Sequence, residues 1–146
     1  MLSLNQIVQT LNDLQTASSQ LGNGSFLFGT PAEWGADAKI TYPLMGVRLV
    51  SSDINGTILN TSLNIFFADL IHKSGFQGNE TEVLSDMQRA ALRMYSEIKN
   101  ELETNYPATL ELTSSITPFY EGSDDEVSGV EMNINITQFF DRSVCA

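Results

Sequence analysis

The segment 57-TILNTSLNIFFADL-70 decides the fold. Leu59, Leu63, Ile65 and Phe67 are apolar, and Asn60, Ser62 and Asn64 stand between them. Side chains alternate sides along a strand, so this pattern predicts a half-buried antiparallel strand with one face on a core and the other toward solvent. Just before it, 51-SSDING-56 reads as a polar turn ending in Asn-Gly, a pair that favours tight hairpins. Upstream of the turn, 40-ITYPLMGVRLV-50 is the expected partner strand. Tyr42-Pro43 opens it, because proline cannot donate to a ladder and drives the preceding residue toward extended backbone.

Downstream of the hairpin, residues 72–81 (HKSGFQGNET) read as a loop and residues 82–103 as the strongest helix of the chain. Leu84, Met87, Ala91, Met94, Tyr95, Ile98 and Leu102 recur at helical spacing on one face, and the acids Glu80, Glu82 and Asp86 suit the positive end of the helix dipole. Pro107 closes the segment. Leu110, Leu112 and Ile116, then Val130, Met132, Ile134 and Ile136, mark two further alternating strands, joined by an acidic loop from Tyr120 to Ser128. At the other end, Leu4, Ile7, Val8, Leu11, Leu14 and Leu21 form one apolar stripe, predicting a helix over residues 3–21 with Ser3 and Gln6 as a capping box. Gly22, Asn23 and Gly24 are expected to end it in the positive-φ region. Ser25 to Phe28 is a short apolar run, followed by a loop over residues 29–39 that carries Pro31 and Trp34.

The order is therefore α-β-β-α-β-β. It predicts a single α+β domain over residues 1–146: a mostly antiparallel four- to five-stranded sheet with an N-terminal helix and a long central helix packed on it. The loops over residues 29–39, 71–80 and 119–129 are long for such a fold.

Composition narrows the function. The 146 residues hold 18 acids and 7 bases, a formal charge of −11. Affinity for nucleic acid comes largely from Lys and Arg displacing counterions from phosphates, so this balance argues against a protein that grips DNA or RNA, and equally against an anionic membrane surface. The N-terminus lacks a basic n-region and an unbroken apolar stretch, so it does not read as a signal peptide. Cys145 is the only cysteine, which excludes an internal disulfide and a Cys-based zinc site.

Catalytic signatures are missing from the sequence. Gly22, Gly24 and Gly29 follow a helix and lack the strand-to-helix setting of a phosphate loop. His72 is the only histidine, so any His-paired nucleophile (Ser51, Ser74 or Cys145) would have to use it. Glu121, Asp124, Asp125 and Glu126 invite a calcium reading, but strands rather than helices flank them, and a solvated acidic hairpin fits better. No cofactor is expected. Trp34, Phe76, Phe119, Tyr120 and Phe140 lie in loops or at strand ends, where a small core need not reach them, and make candidate subunit-interface aromatics.

This organisation resembles the tail-terminator and neck (head-tail connector) ring proteins of tailed bacteriophages. The likeness runs over nearly the whole chain: the helix from Leu4 to Leu21, a variable loop, the Tyr42-Pro43 start of a strand, the hairpin ending at Asp69-Leu70, the helix LSDMQRAALRMYSEI and two closing strands. The stretches 110-LELTSSITPFYEGSDDEVSGVEMNINI-136 and 139-FFDRSVCA-146 also resemble the C-terminal ends of such proteins in crAss-like phages. The resemblance implies a non-enzymatic virion protein, assembled in the host cytoplasm as a homo-oligomeric ring, a hexamer or dodecamer, beside portal, connector or tail proteins. DNA would pass through the lumen without specific binding, and no membrane is involved. Carboxylates at the lumen would repel phosphates, which makes Glu121, Asp124, Asp125 and Glu126 a candidate lumen or interface hairpin. Two other classes stay open: a monomeric module with an apolar ligand pocket lined by Trp34 and the Phe residues, and a hydrolase using His72.

Overall fold

The alternating segment forms β3 (Ile58–Leu70), the middle of the hairpin with β2 (Leu44–Asn55). In the computed structural model residues 2–29, 41–71, 80–105, 108–112, 116–122 and 126–139 are described, those at 80, 108–112, 120–122 and 126 by their backbone alone. β2 is longer than its sequence pattern suggests. It runs through the polar residues 51–55, and the turn is the two-residue loop Gly56-Thr57, with Asn55 paired to Ile58. Gly56 has φ +64° and no described non-glycine residue has a positive φ, the pattern of a type II′ turn with glycine first. Polar residues alone did not end the strand, because cross-strand pairing to β3 continues to satisfy the backbone. Leu49 pairs with Leu63 and Ser51 with Ser62, so Val50 is an extra residue, a β-bulge.

The apolar run after the first helix forms β1 (Phe26–Phe28), which pairs in parallel with Met45–Val47 of β2. The sheet is therefore mixed, which corrects the α-β-β-α-β-β order and the antiparallel expectation at this edge. The C-terminal half differs as well. β4 (Ala108–Leu112), β5 (Thr117–Gly122) and β6 (Glu126–Phe139) are three strands, and most of the predicted acidic loop is β5–β6 hairpin, with Glu121 opposite Val127 and Gly122 opposite Glu126. The spatial order is β1-β2-β3-β6-β4. β3 occupies one side of β6 along its length, so β4, paired with residues 134–138, and β5, paired with residues 126–131, lie end to end on the other. The six strands among the described residues thus fill five positions.

The two helices among the described residues cover one face of this sheet. α1 (Leu4–Ala17) starts at the predicted capping box: Ser3 accepts from the Gln6 backbone N–H and Gln6 accepts in return from that of Ser3. It stops at Ser18, earlier than its apolar spacing suggested, and Ser18 rather than a left-handed glycine makes the C-cap. Buried Gln15 explains the stop. Its amide Nε2 donates to the Leu21 and Gly24 carbonyls, so the chain wraps back around this side chain instead of continuing the helix. The two glycines serve close approach, not positive φ. A Cβ at Gly24 would collide with the Pro43 carbonyl oxygen, where β1 begins to run alongside β2.

α2 (Glu80–Asn105) carries the predicted apolar face, with Met87, Ala91, Met94, Ile98 and Leu102 buried and Leu84 and Tyr95 packed at its margin. It packs on β6, β3 and β4, and its buried face shares one core with Leu63, Ile65 and Phe67 of β3, Val130, Met132, Ile134 and Ile136 of β6, Met45 and Val47 of β2, and Ile7 and Leu11 of α1. Fully burying a side chain of this kind contributes about 1.5–3 kcal/mol, so this layer carries most of the stability. β3 and β6 approach closely at Gly129, where a Cβ would run into the Phe67 carbonyl oxygen.

Candidate assembly surface

The face of the sheet turned away from the helices follows from the same alternation. Register places Arg48, Asn64 and Asn133 in one row across β2, β3 and β6, then Ser51, Ser62 and Asn135, then Asp53, Asn60 and Thr137. These nine positions form a plane of amides and hydroxyls with one cation and one carboxylate. Thr137 donates its hydroxyl to Asn60 Oδ1 at 2.8 Å across the β3–β6 ladder, and Ser51 donates to Asp53 at 3.4 Å. One end of the face is apolar: Leu44, Phe66, Ala68 and Val127 are buried together, with Leu27, Tyr42 and Phe119 against them.

Arg48 stands apart in this plane. Among the described residues it is the only Lys or Arg outside α2, and it makes no ion pair there with Asp53 or with Glu131 on the same face. Its Nε is buried and has no hydrogen-bond partner, and Asn135 Oδ1, two strands away on the same face, is likewise buried without one. A buried guanidinium nitrogen without an acceptor is costly to the isolated fold.

The sheet has two edges of different make-up. On one side β1 covers only Met45–Val47, and among the described residues no strand pairs with β2 beyond that point. Val50 (48% exposed) and Ile54 (71%) lie along this stretch, and residues 52–57 form an exposed arm at the hairpin end. The other edge is the interrupted β4–β5 line. Phe139 (68% exposed) pairs with Ile58 at the same end of the sheet as the arm.

The residues singled out from sequence fall in three groups. Phe119 is half-buried and its ring meets Phe66 edge-on, with centroids 5.9 Å apart and planes at 85°. Tyr120, Glu121 and Glu126 are placed by their backbone on the β5–β6 hairpin. Trp34, Phe76, Phe140, Asp124, Asp125 and His72, with Ser74 and Cys145, lie outside the described residues. The acids of α2 are in part paired within the helix, Lys99 with Glu103 at 2.9 Å and Arg89 with Asp86 at 4.0 Å. Exposed pairs of this kind contribute little to stability.

A cleft of about 290 Å³ lies between the α1–β1 turn, the end of β3 and the start of α2, lined by Gln20, Pro43, Asp69, Asp86 and Met87. Its described lining combines two carboxylates and an amide with Pro43 and Met87 and holds no aromatic side chain, unlike the aromatic-lined pocket expected of a small-ligand module. Among the described residues there is no group of three or more His, Cys, Asp or Glu side chains able to hold a metal ion. No helix among them is long and apolar enough to cross a membrane.

Sequence reasoning missed Arg48 and the amide plane. The signal was present in 60-NTSLN-64 and 133-NINIT-137, two polar series of the same period whose juxtaposition only the register between β3 and β6 supplies. No protein-family model matches the chain, and no curated protein matches it either.

Proposed function

We propose that the protein is a structural subunit of a tailed-bacteriophage virion: a tail terminator or neck (head-tail connector) protein that assembles into a ring of six or twelve copies and lets DNA pass through its lumen. Its neighbours in this reading are portal, connector or tail proteins, and it carries out no catalytic step and uses no cofactor. The order of elements that resembles such ring proteins motivates the proposal. The observation that carries it is the unlike make-up of the two sides of one sheet among the described residues, β1 against Met45–Val47 of β2 on one side and the interrupted β4–β5 line on the other. Two different surfaces on one chain favour a head-to-tail contact over a self-complementary one, and head-to-tail contacts close into rings when the rotation permits.

Charge supports passage rather than grip. Residues 80–103 hold six acids against three bases, and residues 119–131 hold five acids and no base. A lumen that DNA must slide through is served by carboxylates that keep phosphates at a distance, and the β5–β6 hairpin and the solvent face of α2 are the surfaces proposed for it. Light scattering coupled to size exclusion, with negative-stain microscopy of the same fractions, tests the reading. Closed rings of uniform diameter are expected; a monomer at every concentration up to the solubility limit would overturn it.

A further inference from the structure

We infer that Asn55 is a site of spontaneous backbone modification: the Gly56 nitrogen attacks the Asn55 side-chain amide, and the hairpin tip converts to aspartate and isoaspartate. The other Asn-Gly step of the chain, Asn23-Gly24, is held back from the same reaction by the fold. The chemistry asks for an asparagine followed by a residue with no side chain to crowd the attack. It also asks for a backbone N–H that is not committed to a hydrogen bond, and for local freedom to bring Cγ onto that nitrogen.

Both steps meet the first condition, since Asn55 and Asn23 are exposed and each precedes a glycine. They part on the others. Gly56 opens the two-residue loop that follows the last rung of the β2–β3 ladder, Asn55 with Ile58. Its N–H lies outside the ladder and donates to no backbone acceptor among the described residues. A Cβ placed on Gly56 would meet nothing within 4 Å, so the space around the nitrogen is clear beyond its chain neighbours. Residues 52–57 are exposed throughout, and opening the final rung uncovers no core. At the other step the Gly24 N–H donates to the Leu21 carbonyl at 3.0 Å, and the Gly24 carbonyl accepts from buried Gln15 at 3.1 Å. The Pro43 backbone leaves no room there even for a Cβ. Moving Asn23 onto the Gly24 nitrogen would mean undoing the wrap around Gln15.

The reaction balances with water as its one co-reactant. The Gly56 nitrogen gives up its proton and bonds to Asn55 Cγ, the Cγ–Nδ2 bond breaks, and the amide leaves as ammonia. A five-membered imide results. Water opening it at Cγ restores the ordinary main chain with a carboxylate at position 55; water opening it at the main-chain carbonyl routes the backbone through Cβ and Cγ as isoaspartate. Either product adds a negative charge two residues from Asp53, on the same side of the strand. The second also lengthens the chain at a turn whose two-residue length sets the hairpin register.

The test is timed incubation of the full chain at pH 8 and 37 °C, followed by peptide mapping by mass spectrometry. Isoaspartate is counted separately, by enzymatic methyl transfer from labelled S-adenosylmethionine. Conversion at Asn55 is expected to outpace that at Asn23 by roughly tenfold or more in the folded chain, and the two rates to converge in urea, where neither site is held. Asn55→Gln, which keeps the amide but lengthens the reach to a slower six-membered ring, is expected to abolish the fast conversion while leaving the circular dichroism unchanged. Equal rates at the two steps in the folded chain would overturn the inference, as would an Asn55 that stays intact. A preference for Asn55 that persists undiminished in urea would show that sequence rather than fold selects the site, and would overturn it too.

Discussion

Leu2 and Gln138 tie the segment before α1 to the end of β6 through a pair of hydrogen bonds. The Leu2 backbone N–H donates to Gln138 Oε1 at 2.7 Å, and Gln138 Nε2 donates to the Leu2 carbonyl at 3.2 Å. Both residues are buried, so the amide of β6 closes the backbone polar groups that precede α1 and sets where that helix lies on the sheet.

Replacing Gln138 by leucine keeps the volume and removes both partners. The Leu2 N–H and carbonyl are then buried unsatisfied, and the loss expected is about 1–3 kcal/mol. Urea denaturation with an unchanged slope and a lower midpoint is the expected result; an unchanged midpoint would contradict the clamp.

Gln15 offers a sharper comparison. Gln15→Glu keeps the shape but replaces the donor to the Leu21 and Gly24 carbonyls with a carboxylate facing two acceptors. It should destabilise by about 3 kcal/mol or more at neutral pH, because an ionised group would be buried without a donor. Acidification toward pH 4, which protonates the carboxyl and restores a donor, should recover part of that loss relative to wild type under the same conditions.

Gly129→Ala sets a Cβ against the Phe67 carbonyl in the middle of the β3–β6 ladder. Backbone cannot yield as a flexible side chain does, so the melting temperature should fall by roughly 6–10 °C, about 2–3 kcal/mol for a domain of this size. Alanine at Gly56 meets no neighbour and is strained only by its φ, so the cost there should be nearer 1 kcal/mol.

Met94 is fully buried between α1, α2 and the sheet. Met94→Ala should cost about 2–5 kcal/mol by loss of transfer energy and the cavity left behind, whereas Leu92→Ala on the solvent face of the same helix should change stability by less than about 0.5 kcal/mol. Similar losses at the two positions would mean that Leu92 is covered by a partner.

What the sequence made legible was the periodicity. The alternation of Leu59 to Phe67 and the stripe from Leu84 to Leu102 identify a strand and a helix because burial on one face leaves a repeat in the chain itself. The capping box at Ser3 and Gln6 was legible for the same local reason. β1 was not resolved as a parallel strand, since Phe26–Phe28 is three residues long and its pairing to Met45–Val47 is a tertiary choice. Gln15 and Gln138 read as polar surface because nothing local says that their partners are backbone groups brought in from elsewhere. The candidate surface was legible only in part: its polar residues were visible, but the rows that join Arg48 to Asn64 and Asn133 exist only once the register is known.

The long ladder between β3 and β6 has a consequence for how the chain is made. Its paired residues are 57 to 81 positions apart in sequence, from Leu70 with Val127 to Ile58 with Phe139. During synthesis the β2–β3 hairpin and α2 are therefore complete while the central edge of β3 is still bare. Contacts this distant are slow to form, so the nascent chain passes through a stage in which the central edge of β3 awaits β6. Aggregation in that interval, more than the stability of the finished fold, should govern how much protein a cell yields, and slower growth at lower temperature should raise that yield.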